Sequence, residues 1–280
     1  MNLTQAVLLG VVQGLTEFLP VSSSGHLILF QNLLGLKEPL LAFDISVHVG
    51  TLLAVIAYFY KDIIAMLKAL GRLLSGRFSR RASAGPWTQD RDIRMALLIV
   101  TGSIPTAFLG LLFKEIAETL FSSVTIVGIT LMITGAILWG TRRLGENGHG
   151  IRRFTAGGSL LVGIVQGLAI IPGISRSGST IAAGLYLGLD RETAARFSFL
   201  LSIPAVAGAG LLGAMDLVPQ SGLPLALIAA GTLVSCGVGY ASLKLLVWMV
   251  GRGRLHFFAP YCFVLGAVAL GVSLIGSPLL

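Results

Sequence analysis

The stretch GVVQGLTEFLPVSSSGH, residues 10–26, returns in altered form as GIVQGLAIIPGISRSGST, residues 163–180. Both copies read Gly-x-Val-Gln-Gly-Leu. Ser22, Ser24 and Gly25 recur at the same offset of 153 residues, as a second Ser-x-Ser-Gly in residues 175–178. Each copy interrupts an apolar segment with polar residues, Pro and Gly, which break helices. The repetition therefore predicts a duplicated unit that carries a polar break.

The composition is that of a membrane protein. Only 11% of the 280 residues are charged, 55% are hydrophobic and the mean hydropathy is +0.89, whereas a soluble domain carries about 25% charged residues. The net charge of +8 is then not a nucleic-acid footprint, and no nucleic-acid partner is expected. The two cysteines lie in apolar runs and predict no disulfide framework.

Six segments are long and apolar enough to cross a bilayer. Each has about 15–25 residues, near the ~20 that span ~30 Å of hydrocarbon. They are residues 41–60, 95–113, 125–139, 197–214, 223–247 and 257–275.

The connections between these spans alternate in charge. Lys and Arg are concentrated in residues 61–94, after residue 139 and near residue 250, and they are sparse between 113 and 125 and near 216. The positive-inside rule places the basic connections in the cytoplasm. Both termini are then expected on the outer, periplasmic side.

The two remaining apolar stretches, residues 2–35 and 155–190, predict re-entrant helix–loop–helix hairpins. Neither half of either stretch can cross a bilayer, and both ends of each must lie on the same side to keep the loop charges in phase. Three spans follow each hairpin, and because three is odd the second copy must be inverted. We therefore expect an all-α polytopic membrane protein, one integrated membrane domain built from two inverted-topology repeats, residues 1–153 and 154–280.

The hairpins hold the polar residues that suit a phosphate. Ionisable side chains at membrane depth cost roughly 2.5–3.5 kcal/mol on insertion scales, so they are functional candidates. The guanidinium of Arg176 matches phosphate geometry, and helix N-termini bind anions. A buried Glu17–Arg176 ion pair that only joins the repeats is the structural alternative. The candidate phosphate-binding residues are Ser22, Ser175, Arg176, Ser177 and Thr180.

A second group of residues suits a metal ion and proton transfer. Gln13 and Glu17 lie four residues apart, on one helical face, and their oxygens suit Mg²⁺ or Ca²⁺ with phosphate completing the coordination. His26 could shuttle protons. Asp44 and His48 are also four apart and are candidates to support this site.

The motifs Gln13-x-x-x-Glu17, PVSSSGH at residues 20–26 and PGISRSGST at residues 172–180 together resemble those of the undecaprenyl-diphosphate phosphatase family of the bacitracin-resistance type. The likeness covers essentially the whole chain. It implies a bacterial inner-membrane enzyme that hydrolyses undecaprenyl diphosphate to the monophosphate with a divalent metal, recycles this carrier lipid for peptidoglycan and gives bacitracin resistance. It also implies Glu17, Ser23, His26 and Arg176 as the catalytic set. Many members carry Glu where Gln13 stands, and Gln is a weaker metal ligand.

Two other classes compete with this interpretation. A lipid or solute transporter or flippase also uses inverted repeats, and a membrane scaffold would need neither Glu17 nor Arg176. The residues leave open whether Ser23, His26 or water is the nucleophile. Expected partners are the polyprenyl diphosphate and membrane lipids, and a homodimer is possible.

Overall fold

The computed structural model describes residues 1–36, 40–75, 90–113, 123–144, 146–217 and 222–275, although for residues 212–217 and 275 it describes only the backbone. All its regular structure is helical in these ranges. The α-helices are α1 (Leu3–Thr16), α2 (Ser23–Leu33), α3 (Leu41–Tyr58), α4 (Tyr60–Leu74), α5 (Arg91–Phe113), α6 (Val124–Gly140), α7 (Ala156–Leu168), α8 (Arg176–Tyr186), α9 (Arg191–Leu217), α10 (Leu225–Gly251) and α11 (Ala259–Ile275). Short 3₁₀ turns occupy Thr141–Arg143, Ile151–Arg153 and Leu255–Phe258.

The described helices confirm the membrane prediction. Six of them, α3, α5, α6, α9, α10 and α11, are long and apolar enough to cross a bilayer. The chain is therefore an all-α, multi-pass membrane protein. The two interrupted stretches each form a pair of shorter helices, α1 with α2 and α7 with α8.

Two spans begin earlier than predicted, because an aspartate caps each of them. The Asp90 carboxylate accepts from the backbone N–H of Asp92 at 2.9 Å, and the Asp190 carboxylate accepts from the N–H of Thr193 at 2.8 Å. Each cap satisfies N–H groups that a helix start leaves open. The polar first turns at Arg91 and Arg191 are therefore helical, although hydropathy alone excluded them.

Residues 61–94 were predicted to be a loop, and this was wrong for the first part of the segment. Helix α4 covers Tyr60–Leu74, with apolar side chains on the face that packs towards α5. Asp62 of α4 pairs with Arg196 of α9, with Nη1 and Oδ1 2.6 Å apart. The mixed composition hid an amphipathic period of 3.6 residues. The basic residues Arg77, Arg80 and Arg81 lie outside the described residues.

The helices of the two halves exchange partners. Helix α1 of the first half packs along α10 of the second, and α7 of the second half packs along α5 of the first. Helix α3 contacts α9, and α6 contacts α11. Two related units would produce this reciprocal exchange. The inverted orientation of the second unit and the boundary at residues 153 and 154 stay predictions.

The repeated glycines lie where two helices approach closely. A methyl group at Gly14 would lie 2.9 Å from the backbone oxygen of Ser235 in α10, and one at Gly167 would lie 2.7 Å from the Leu109 Cβ in α5. Small residues at such crossings allow close packing of helices in lipid, where no hydrophobic effect drives association. The sequence repeat therefore encodes two helix crossings as well as two polar breaks.

We expect Gly14→Ala to lower the free energy of unfolding by about 1–3 kcal/mol, because the backbone of α10 must move to admit a methyl group. Gly237→Ala is the matched control, since Gly237 lies in α10, the helix that Gly14 contacts, but has open space around it. Thermal unfolding of the two variants in one detergent measures the difference. Equal melting temperatures would contradict the close-approach account.

Candidate functional site

The breaks in the two helical pairs meet and form one polar centre. The Ser177 hydroxyl donates to the backbone oxygen of Phe18 at 2.8 Å, and the backbone N–H of Gly173 donates to the Ser22 hydroxyl at 3.1 Å. These bonds join residues more than 150 positions apart in the chain. The polar interruptions that are separate in the sequence therefore form a single site.

Glu17 lies at the middle of this centre. It caps the end of α1, and its side chain is largely buried. The Ser23 hydroxyl donates to Oε2 at 2.9 Å, and Gln13 Nε2 donates to the same oxygen at 3.0 Å. Arg176 Nη2 forms an ion pair with Oε1. His48 Nε2 lies 3.6 Å from Oε2.

Two polar atoms beside Glu17 have no partner. Arg176 Nη1 and Gln13 Oε1 are both buried, and neither is hydrogen-bonded within the part of the chain that the structure describes. Leaving such a group unpaired costs about 1–3 kcal/mol. Because one atom is a cationic donor and the other a neutral acceptor, the centre is prepared to receive an anion and an electropositive group.

A narrow crevice borders the ion pair. Its empty space, counted with its open mouth, is about 170 Å³, between the end of α1, helix α3, the start of α8 and helix α9. Its lining is polar at Glu17 and Arg176 and mostly apolar beyond them. The lining residues are Glu17, Phe18, Thr51, Leu52, Val55, Arg176, Ser202 and Val206.

The donor set fits a divalent cation only in part. The described residues contain no cluster of three or more His, Cys, Asp or Glu side chains arranged to hold a metal. The chain itself offers the Glu17 carboxylate and the unpartnered Oε1 of Gln13. Mg²⁺ in proteins is often held by one or two carboxylates together with substrate phosphates. The residues therefore fit a cation that arrives with a phosphorylated ligand.

Helices α2 and α8, the second helix of each pair, differ at their N-termini. Ser175 caps α8, since its hydroxyl accepts from the N–H of Gly178 at 3.1 Å. Ser22 stands at the same place before α2, but its side chain makes no cap. Its hydroxyl accepts a hydrogen bond from the backbone N–H of Gly173 instead. The N-terminus of α2 thus keeps N–H groups without a side-chain acceptor, a favourable place for an anion.

The hydroxyl groups of the second motif all have partners inside the protein. Ser175 and Ser177 hydroxyls are 3.3 Å apart, and the Thr180 hydroxyl is 2.5 Å from that of Ser198. All three motif side chains are buried. These bonds hold the second break against α9 and Phe18, and direct binding of phosphate by Ser175, Ser177 and Thr180 stays a prediction.

His26 is held away from the carboxylate. Its Nδ1 bonds the backbone oxygen of Ser22 at 2.8 Å, and its Nε2 bonds the hydroxyl of Tyr261 at 2.6 Å. In the described residues, His48 is the histidine whose ring approaches Glu17. A catalytic role for His26 stays a prediction. Sequence reasoning missed Tyr261, because a single tyrosine in an apolar span matches no motif.

Asp44 and His48 form the outer side of the site. His48 Nδ1 donates to the backbone oxygen of Asp44 at 2.7 Å, and the Asp44 carboxylate accepts from Gln31 Nε2 at 2.6 Å. His48 is therefore oriented by α3 itself, with its other nitrogen towards Glu17. The supporting role of Asp44 and His48 stays a prediction. The approach of His48 Nε2 to Glu17 is the contact that favours it.

Comparisons with known proteins agree over nearly the whole chain. Residues 6–268 match the family described as bacitracin resistance protein BacA. A protein of Desulfosudis oleivorans named undecaprenyl-diphosphatase is 53% identical over 274 residues, which are 96% of this chain and 98% of the relative. Proteins of the same name from Desulfatibacillum aliphaticivorans and Methanosphaera stadtmanae are 51% and 44% identical, over 96% and 98% of this chain and over 98% and 99% of their own lengths.

The family match contains both motifs and the first five membrane spans in full, and it ends within α11. The identity is well above the level at which a shared family is secure, and neither chain of a pair extends far beyond the other. The chain therefore belongs to the bacitracin resistance protein BacA family.

Proposed function

We propose that this chain removes the terminal phosphate of undecaprenyl diphosphate, giving undecaprenyl phosphate and inorganic phosphate. The observation that carries the proposal is the contact of the Ser23 hydroxyl with the Glu17 carboxylate, beside a buried guanidinium nitrogen of Arg176 that has no partner among the described residues. A hydroxyl bonded to a base is an activated nucleophile, and the free N–H group is a donor for a phosphoryl oxygen. The name of the relatives supports the substrate.

The resting ion pair suggests how the chemistry begins. A diphosphate that enters the crevice competes with Glu17 for the donors of Arg176. Glu17 then loses its pairing with the guanidinium of Arg176 and is free to take the proton of Ser23. The Ser23 oxygen forms a bond to the terminal phosphorus, and the bridging P–O bond breaks. Undecaprenyl phosphate leaves with the electron pair of that bond.

Water completes the reaction: its oxygen forms a bond to the phosphorus, and the P–O bond to Ser23 breaks. The proton held by Glu17 returns to the serine oxygen as inorganic phosphate is released. Arg176 and the open N-terminus of α2 stabilise the negative charge that develops on the phosphoryl oxygens. We favour Ser23 over His26 as the nucleophile because both ring nitrogens of His26 already have partners outside this contact.

A divalent cation is the proposed cofactor. Glu17 and Gln13 would hold it together with the diphosphate oxygens, and Mg²⁺ or Ca²⁺ there would polarise the phosphoryl group. Gln13 brings only a carbonyl dipole, so the charge on the protein side comes from Glu17.

The prenyl chain of the substrate has an apolar place beside the site. A groove with about 1080 Å³ of empty space, counted with its open mouth, lies between α3, α4, α5 and α9. Helices α3 and α9 also bound the polar crevice. Apart from Ser103, the groove is lined by apolar residues, among them Ile56, Met66, Ile104 and Leu200. We propose that it holds part of the hydrocarbon tail.

The setting we propose is the bacterial cytoplasmic membrane, with both termini on the outer side. Hydrolysis there would recycle the carrier lipid for cell-wall synthesis and give bacitracin resistance. Nothing in the family or in the relatives' names favours the transporter alternative. The possible homodimer stays a prediction.

Arg176→Ala should lower kcat for phosphate release from undecaprenyl diphosphate by about 10²–10³-fold, because it removes the group that stabilises the developing charge. Arg176→Lys should recover little activity, since an ammonium lacks the planar fork. Arg252→Ala is the control, as Arg252 stacks on Trp248 at the far end of α10. Near-normal hydrolysis by Arg176→Ala, with the parent active, would exclude the clamp.

Glu17→Gln should cost far more activity than Gln13→Ala, because only Glu17 supplies a negative charge to a cation or accepts a proton. Turnover is measured across a titration of Mg²⁺ or Ca²⁺ after treatment with a chelator. A variant that lacks only a ligand should partly recover at high metal, and one that lacks the base should not. Full activity in chelator together with an unimpaired Glu17→Gln enzyme would contradict the metal-assisted reaction.

A further inference from the structure

Ser22 has an unusual backbone. Its φ angle is 70°, and no other non-glycine residue in the described ranges has a positive φ. Side chains with a Cβ rarely adopt this conformation, and it persists only where the surroundings enforce it. Ser22 immediately precedes Ser23, whose hydroxyl bonds Glu17. The direction in which Ser23 leaves the turn therefore depends on how Ser22 is held.

Two short hydrogen bonds hold Ser22, beside two longer ones of 3.4 Å: its hydroxyl lies that far from the hydroxyl of Ser24, and the backbone N–H of His26 donates to its backbone oxygen. The Gly173 N–H donates to its hydroxyl at 3.1 Å, and the ring of His26 bonds its backbone oxygen at 2.8 Å. The first bond comes from the second motif. The second comes from one turn further along α2, so the position of the His26 ring fixes the carbonyl of the strained residue.

Tyr261 of α11 fixes that ring. A carbonyl oxygen can only accept, so His26 Nδ1 must carry a hydrogen. In the neutral imidazole Nε2 then has only a lone pair, and it accepts the hydrogen of the Tyr261 hydroxyl at 2.6 Å. The two rings are also stacked, with centroids 5.8 Å apart. The Ser22 carbonyl thus sets the tautomer of His26, and Tyr261 holds the plane of the ring.

The neighbouring residue of α11 contacts the same turn. Cys262 Sγ donates to the backbone oxygen of Pro20 at 3.3 Å, and Cys262 is completely buried. Helix α11 therefore contacts the turn through Pro20, before the strained residue, and through His26, after it. Both contacts lie within the chain itself.

We propose that Tyr261 is a positioning residue for the reaction. It acts through His26 on the carbonyl of Ser22, and so directs the Ser23 hydroxyl at Glu17. The inference rests on the proposed function, because it assigns a task in the hydrolysis of the diphosphate. It also gives the histidine of the first motif a role that needs no contact with the phosphate.

Tyr261→Phe tests the proposal, since it removes the hydroxyl and keeps the ring. We expect kcat to fall about tenfold with KM nearly unchanged, because misplacing a reacting group slows the chemical step more than binding. Tyr186→Phe is the matched control: Tyr186 also donates a hydrogen bond, to the backbone oxygen of Ile137, at the far end of α8. Its kcat should equal that of the parent.

A double-mutant cycle tests whether Tyr261 acts through His26. In His26→Asn the amide keeps a donor near the Nδ1 position and has nothing in place of Nε2. If the chain of bonds is right, Tyr261→Phe should change kcat no further in that background. Multiplicative effects of the two substitutions, or an unchanged kcat in Tyr261→Phe when the parent is active, would overturn the proposal.

A measurement without substrate separates this inference from the proposed function. In protein with ¹⁵N-labelled histidine, His26 should be protonated at Nδ1, and its Nε2 signal should shift in Tyr261→Phe but not in Tyr186→Phe. The Nε2-protonated tautomer, or no shift in Tyr261→Phe, would refute the positioning chain even in a preparation that releases no phosphate. A parent with the expected spectrum but without hydrolysis would refute the proposed function alone.

Discussion

The ion pair between Glu17 and Arg176 is the interaction on which the rest of the site depends. Burying two charges costs several kcal/mol of desolvation per ion, which their mutual attraction has to offset. Removing one partner leaves the other as a buried, unpaired charge. Each charge sits where a helix pair is broken, Glu17 at the end of α1 and Arg176 at the start of α8. The two breaks must therefore meet, and the helices that carry them must pack so that they do.

The small residues of the repeat make that meeting possible. Gly14 brings α1 against the backbone of α10, and Gly167 brings α7 against α5. Glu17 stands three residues after Gly14, at the end of α1, and the second break follows α7 in the same way. The same short pattern thus specifies a close crossing and, immediately after it, the polar turn that the crossing delivers to the centre.

Much of this could be predicted from the sequence, and the exceptions have physical reasons. Length and hydropathy predicted six spans. The polar interruption with Pro and Gly, present in both copies of the repeat, predicted where helices break. The charge of Asp90 and Asp190 concealed their part in starting helices, and the mixed composition of α4 concealed an amphipathic face. At the site, the motif residues Gln13, Glu17, Ser23 and Arg176 could be expected to converge because they occupy the breaks. Tyr261 could not, since its partner is 235 residues away and no local pattern records such a contact.

Glu17 is an anion that is already paired with the guanidinium of Arg176, and in the proposed reaction this has a consequence for turnover. Every phosphate that binds Arg176, including the product, has to compete with Glu17. Inorganic phosphate therefore competes for the guanidinium with a carboxylate that is part of the protein. This carboxylate has a high effective concentration and does not diffuse away. An internal competitor of this kind lowers the affinity for both substrate and product, and it favours rapid clearance of the site over tight capture. An enzyme that works on a lipid confined to the membrane can tolerate the weaker binding, because its substrate is already concentrated in two dimensions.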